Sequence, residues 1–247
     1  MPQHALSRPS EGFRDGPTPT LWSGSRRAST HRTAEAWPDP SAIAERLYLD
    51  CNEMALGEQP PSTEGIRDYD SEDGTVLAFD YKANHDFEIV GGCGLHLWAS
   101  PEAHDEMDLF VGLTKLDNAG QPIGFRFYST FSEGPMALGW LRASHREQAA
   151  GSSEMRPLYT HTNKLPLIAG DYVELDVEIW PVGSVIRKGE TLRLLIGGRD
   201  LHDFSTGAPE LGHSPDNRGV HRIRSSADQP SYLTLPIRRI STGLSGT

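Results

Sequence analysis

The chain reads as a succession of short alternating runs. In Tyr172–Trp180 the apolar positions Val173, Leu175, Val177 and Ile179 interleave with Glu174, Asp176 and Glu178. A period of two puts each set on its own face of a strand, one buried and one wet, as in an antiparallel sheet. A helix would scatter those carboxylates around its cylinder. Pro181 has no N–H for a ladder, so the pattern predicts that this strand stops there. Further strands are predicted over Arg46–Asp50, Thr75–Tyr81, Phe87–Val90, Gly94–Ala99, Met107–Leu113, Phe125–Phe131, Thr191–Ile196 and Ser231–Pro236. Turn signals separate them: Asp73-Gly74, Ala169-Gly170-Asp171, Lys188-Gly189, and Asp117-Asn118-Ala119-Gly120, which reads as a hairpin loop. Ser41–Arg46 and Ala143–Ala150 each read as one helical turn. Many short strands and few helices predict an all-β fold of mostly antiparallel strands, a jelly-roll β-sandwich.

Composition adjusts this picture. The 247 residues suffice for one large domain, and 25 Gly with 18 Pro exceed average usage, as frequent turns require. Residues 1–27 are rich in Ser, Pro, Arg and Gly without periodicity and are predicted to be a flexible leader. The domain is predicted over residues 28–240, with a tail over 241–247. A net charge of −11 argues against a nucleic-acid partner, which needs a basic face. The densest basic run, Arg218 to Arg224, reads as a solvated strand edge. No apolar run reaches the ~18 residues of a membrane span, so no membrane partner is expected. Met1–Thr20 lacks the apolar segment of a secretory signal. Cys51 and Cys93 are the only cysteines and make neither a disulfide framework nor a zinc site. Both are expected to be buried free thiols, and a cytoplasmic location follows from that.

Candidate chemistry is sparse. A nucleophile elbow needs Gly-x-Ser-x-Gly, whose glycines give the strained turn room. Ser153, Ser214 and Ser245 each have Gly two positions before, but Met155, Asp216 and Thr247 stand two after. No phosphate-binding or dinucleotide-binding glycine loop is present, so no cofactor is expected. His85-Asp86, His104-Asp105 and His202-Asp203 suggest a base and its orienter. Neighbours on a strand face opposite ways, however, so these read as loop histidines. Glu102–Asp108 is acidic, yet lacks the spaced ligands and central Gly of an EF-hand loop. It reads as a loop leading into a strand, with no metal. Ser144 beside His145 has no evident oxyanion donor and reads as structural. No catalytic, cofactor-binding or metal-binding residue is assigned.

Several segments carry a resemblance. They are Trp37-Pro38 with Glu45–Leu49; Phe87–Gly91 with Leu95–Ser100; Glu106–Val111 with Gly139–Arg146; Glu178–Pro181 with Ile186–Leu194; and Ser231–Pro236. In order and spacing, over about residues 31–237, the chain resembles the C-terminal domain of X-Pro dipeptidyl-peptidases and cocaine-esterase-type (CocE/NonD) serine hydrolases. Gly197–Asn217 does not align with that pattern, and residues 1–27 match nothing in it. The resemblance implies a galactose-binding-like jelly roll. It implies a Ser–Asp–His triad on an α/β-hydrolase domain that precedes this one, with the jelly roll packed on it and walling its cleft. Dipeptidyl-peptidase or esterase activity would belong to that domain, and this chain would be inactive alone.

Two placements follow. Trp180 ends an alternating strand and is expected to cap the core or to meet a neighbouring domain, since Trp is enriched at interfaces. Phe110 shares a face with Asp108, opposite Met107, Leu109 and Val111, and the catalytic domain is its expected cover. The competing reading is a stand-alone carbohydrate- or protein-binding module using Trp98, Trp140 and Tyr128. A self-sufficient hydrolase using Ser144 or Ser214 lacks its elbow.

Overall fold

A computed structural model describes residues 20–25, 28–127 and 131–240. The strands are β1 (Thr20–Ser25), β2 (Ala28–Thr33), β3 (Ile43–Asp50), β4 (Ala55–Gly57), β5 (Gly65–Asp70), β6 (Val76–Lys82), β7 (Phe87–Pro101) and β8 (Asp108–Leu116). They continue with β9 (Pro122–Ile123), β10 (Phe125–Phe127), β11 (Phe131–Gly134), β12 (Ala137–Arg142), β13 (Val173–Ile186), β14 (Thr191–Gly197), β15 (Val220–Ser225) and β16 (Tyr232–Arg239). Among the described residues the only helical elements are 3-10 turns at Ala143–His145 and Pro209–Leu211. The fold is all-β, a jelly-roll-like sandwich.

β1–β2 and β10–β11 are separate hairpins, and the other strands form one ladder. Its order is β12-β8-β14-β6-β4-β3-β16-β7-β15-β5, with β13 on the opposite edge of β7 and β9 beside β8. Pairing is antiparallel except for one parallel contact, Ala55 with Asp80, where β4 meets β6. That weak link lets the ladder fold back on itself. Leu109, Val111 and Leu113 of β8 and Leu192, Leu194 and Ile196 of β14 join one core with Leu95 and Leu97 of β7 and Leu175, Val177 and Ile179 of β13. The period-two rule at β13 holds: Leu175, Val177 and Ile179 are fully buried, while Glu174 and Trp180 are exposed.

The chain departs from the alternation rules in instructive places. β13 does not stop at Pro181. A register shift between Ile179 and Val182 absorbs Trp180-Pro181 as a bulge, and pairing with β7 resumes to Ile186. β7 is one long strand, although Gly91 to Gly94 interrupts its apolar pattern. Ser41–Arg46 is not helical, because Ile43–Asp50 pairs with β16. Phe125–Phe131 is not one strand but a hairpin of β10 with β11. The predicted loop at Asp117–Gly120 does close a hairpin, with Asp117 N–H donating to Gln121 O at 2.8 Å.

The basic run is not a sheet edge. β15 has β5 on one side and β7 on the other. His221 is fully buried there, and Arg222 pairs with Glu102 at 2.5 Å and with Asp68 at 3.6 Å. Residues 20–25, read as leader, pair as β1 with β2 from Thr20–Thr33 to Ser25–Ala28. The tail 241–247 lies outside the described residues.

Candidate functional site

The outer face of β8 and β12 is built around a carboxylate. Asp108 accepts Arg142 Nε and Nη2, each at 2.7 Å, and the Asp216 N–H at 2.8 Å. Burial alone would raise the Asp108 pKa. The guanidinium, the backbone N–H and the nearby positive charge outweigh it and hold the carboxyl below its ordinary value. Asn217 ties the same strand by donating to the carbonyls of Asp108 at 2.9 Å and Gly198 at 2.6 Å. These contacts bind the long segment after β14 down onto the sheet. Its His213 ring sits 5.6 Å from Phe110 and 4.8 Å from Trp140. Phe110 is therefore buried by this chain's own loop, and no separate domain is needed as its cover.

β12 and β13, edge strands of the ladder, cross at Gly139. A Cβ there would lie 2.0 Å from the Glu178 carbonyl oxygen, so only glycine permits the approach. The crossing brings Trp140 and Trp180 together, with ring centroids 5.2 Å apart and planes at 58°. Trp180 does not cap the core. It lies on the outer face, 38% exposed. Beside it opens a cleft of about 390 Å³ lined by Trp140, Arg142, His145, Tyr159, His161, Glu178 and Trp180. Tyr159 is fixed over β13 by donating its hydroxyl to the Asp176 carbonyl. His145 and His161 stand 5.9 Å apart, and the buried Nδ1 of His145 has no partner.

The sequence candidates scatter. Ser144 is fully buried, and its hydroxyl donates to Glu106 Oε2 at 2.6 Å, so it is anchored to a carboxylate rather than a base. His85 contacts Asn84, whereas Asp86 holds Arg187 at 2.8 Å. His104 and Asp105 do meet, at 3.7 Å, because both lie in a loop where strand alternation does not apply. His202 is packed among Phe127, Phe131 and Phe204, and burial lowers its pKa. Asp203 instead accepts the Ser205 N–H at 2.8 Å. The acidic run is distributed over separate partners: Glu102 to Arg222, Glu106 to Ser144 and Lys164, Asp108 to Arg142. Among the described residues no group of three or more His, Cys, Asp or Glu is placed to hold a metal. Ser153 and Ser214 are exposed, and Ser245 and Tyr128 lie outside the described residues. Trp98 packs edge-on to His96 at 6.5 Å and is not part of the Trp140 cleft. Cys51 and Cys93 are free and buried, as expected.

Two features escaped the sequence. His213 Nδ1 lies 2.8 Å from Asp200 Oδ1, and its N–H donates to Asp200 Oδ2 at 2.7 Å. These partners sit in a segment without periodicity. The second is the cleft itself, whose residues come from β12, β13 and the segment between them. The only sequence signal was Trp180 on the polar side of an alternating strand.

Comparison with known proteins then places the chain. The profile of the X-Pro dipeptidyl-peptidase C-terminal non-catalytic domain matches residues 11–234. Two crystal structures of a CocE/NonD family hydrolase from Staphylococcus aureus superpose with a TM-score of 0.84 at 30% identity, covering 93% and 94% of this chain and 43% of theirs. An aminopeptidase from a marine sediment archaeon, Thaumarchaeota archaeon, shares the fold at TM-score 0.62 and 14% identity, over 88% of this chain and 40% of that one. The chain thus spans less than half the length of these relatives. A search of curated proteins gives no match. No helix among the described residues is long and apolar enough to cross a membrane.

Proposed function

The chain belongs to the X-Pro dipeptidyl-peptidase C-terminal non-catalytic domain family, and from that premise we propose that it serves an α/β-hydrolase catalytic domain as its packing module. It corresponds to the non-catalytic C-terminal module of a CocE/NonD-type hydrolase. One observation carries the reading: 93% of this chain matches only 43% of a hydrolase chain at TM-score 0.84. In this reading the hydrolase domain holds the nucleophile, and the jelly roll packs against it and walls its cleft. The bond cut is an ester or an X-Pro peptide, chosen by that domain. A cytoplasmic setting and the absence of a nucleic-acid partner belong to the same reading. Two buried free thiols support the setting, and the net charge of −11 supports the last.

The test is to raise an antibody to the loop Glu147–Arg156, precipitate the native protein from source cells, and sequence the precipitate by mass spectrometry. Peptides of an α/β-hydrolase domain, in the same polypeptide or bound to it, are expected. A precipitate holding this chain and no hydrolase peptide would overturn the reading.

A further inference from the structure

β3 has an open edge along its first half. β4 pairs with it only at Tyr48–Gly57, Leu49–Leu56 and Asp50–Ala55. Glu58 and Gln59 then lead into Pro60-Pro61, and two prolines have no N–H to extend a ladder. On its other side β3 is paired with β16 from Ile43 to Tyr48. The Leu49 N–H donates toward that side, to the Ser231 carbonyl at 2.9 Å. Backbone groups alternate sides along a strand, so those of Tyr48, Arg46 and Ala44 face away from β16. Tyr48 meets β4 there. Ala44 and Arg46 are exposed and have no strand partner on that side among the described residues. They border a cleft of about 430 Å³, which Tyr81 of β6 lines from across the gap.

The side chains at this gap define what could fill it. Leu47, Leu235 and Ile237 give it an apolar floor. Glu45 and Glu58 are the carboxylates in its lining. Burial raises the Tyr81 pKa to about 12, and the charges of Glu58 and Glu45 add to the rise, so both carboxylates converge on one hydroxyl. Glu58 accepts that hydroxyl at 2.8 Å and has no cation in ion-pair reach among the described residues. Glu45 meets Arg239 at 3.3 Å in an exposed pair, which contributes little. The Arg46 guanidinium is committed to Glu154. An open ladder edge recognises an extended backbone, and the pockets beside it choose alternate side chains. We infer that the gap beyond β4 binds an extended peptide as an added strand on β3, with a basic residue facing Glu45 and Glu58 and apolar residues two positions to either side. Cross-strand neighbours share a face, so the basic residue stands opposite Glu45 and the apolar ones opposite Leu47 and Ile43. The gap is built wholly from this chain, so the inference stands apart from the hydrolase reading.

The experiment titrates the full 247-residue chain with acetyl-Val-Thr-Lys-Thr-Val-amide while backbone amide resonances are followed. Running antiparallel to β3, as β4 does, this peptide sets its lysine opposite Glu45 and its threonines opposite Arg46 and Ala44. Saturable shifts of the Ala44 and Arg46 amides, with slowed hydrogen exchange at both, are expected at roughly millimolar peptide or below. N-methylation of both threonines removes the N–H groups that would donate to β3 and is expected to weaken binding at least about tenfold. Glutamate in place of the lysine is expected to weaken it at least about fivefold. The double variant Glu45→Gln, Glu58→Gln should erase the preference for lysine and keep the N-methyl effect. No saturable shift at Ala44 and Arg46, equal binding of the N-methylated peptide, or equal binding of the glutamate peptide by the unaltered chain would each overturn the inference. So would a preference for lysine that persists in the folded double variant.

Discussion

His221 gives the sharpest stability prediction. It lies on β15 between β5 and β7, fully buried, with Nδ1 3.0 Å from the Tyr69 hydroxyl and Nε2 without a partner. Burial pushes its pKa down to about 4 from an ordinary 6.5. The Asp108 and Asp70 charges oppose that shift, and His104 adds a little to it. The folded protein therefore refuses a proton that the unfolded chain accepts. Stability from this group is complete above the unfolded pKa and drains away as pH falls toward the folded one. Taking those two values, moving from about pH 7.5 to about pH 5 removes roughly 2 kcal/mol. The range stops above most carboxylate titrations. Urea unfolding followed by tryptophan fluorescence, run on the wild type and on His221→Phe, isolates the effect. Phe keeps the edge contact with Tyr69, whose ring lies 5.2 Å away. The stability difference, wild type minus variant, should fall by roughly 2 kcal/mol over that range. A difference that stays constant within about 0.5 kcal/mol would refute the reasoning.

Other perturbations test other parts of the structure. Phe110→Ser should destabilise the chain by about 3 kcal/mol in chemical denaturation, because His213 and its loop bury the ring; a variant more soluble and equally stable would place the ring outside. Asp108→Asn should cost about 2–3 kcal/mol at neutral pH, since Arg142 is left without its partner but is exposed enough to find water. That gap should close as pH falls through the lowered pKa of Asp108, where the wild type also carries a neutral side chain. Burial pushes the Cys51 thiol up to about 12 and raises Cys93 as well, so a disulfide reagent should label neither until urea unfolds the chain.

The sandwich was legible wherever one face of a strand is buried and the other wet. Val173–Ile179 announces its register because each alternate residue meets the core. Legibility failed where that asymmetry fails. β15 reads as a basic edge because Val220, Arg222 and Arg224 project outward, while His221 and Ile223, fully buried, are too few to mark a strand. Pro181 reads as a stop because a missing N–H is visible in sequence and a bulge that tolerates it is not. The pairing of β1 with β2 has no apolar period to announce it. For the cleft, Glu178 reads as an outward residue of its strand, while Trp180, two positions on, reads as a core cap. Their meeting with Trp140 depends on Gly139 letting two edges cross, a tertiary fact with no local pattern. His213 and Asp200 likewise become partners only once the loop is fastened by Asn217 and Asp108.

Covalent labelling by a fluorophosphonate, which marks activated serines, tests the central claim most directly. The purified chain and the assembly precipitated from source cells would be labelled side by side, and the modified peptide sequenced. The account predicts an unlabelled purified chain and, in the assembly, a labelled serine outside these 247 residues. Label on a serine of this chain, Ser144 or Ser214 above all, would contradict it.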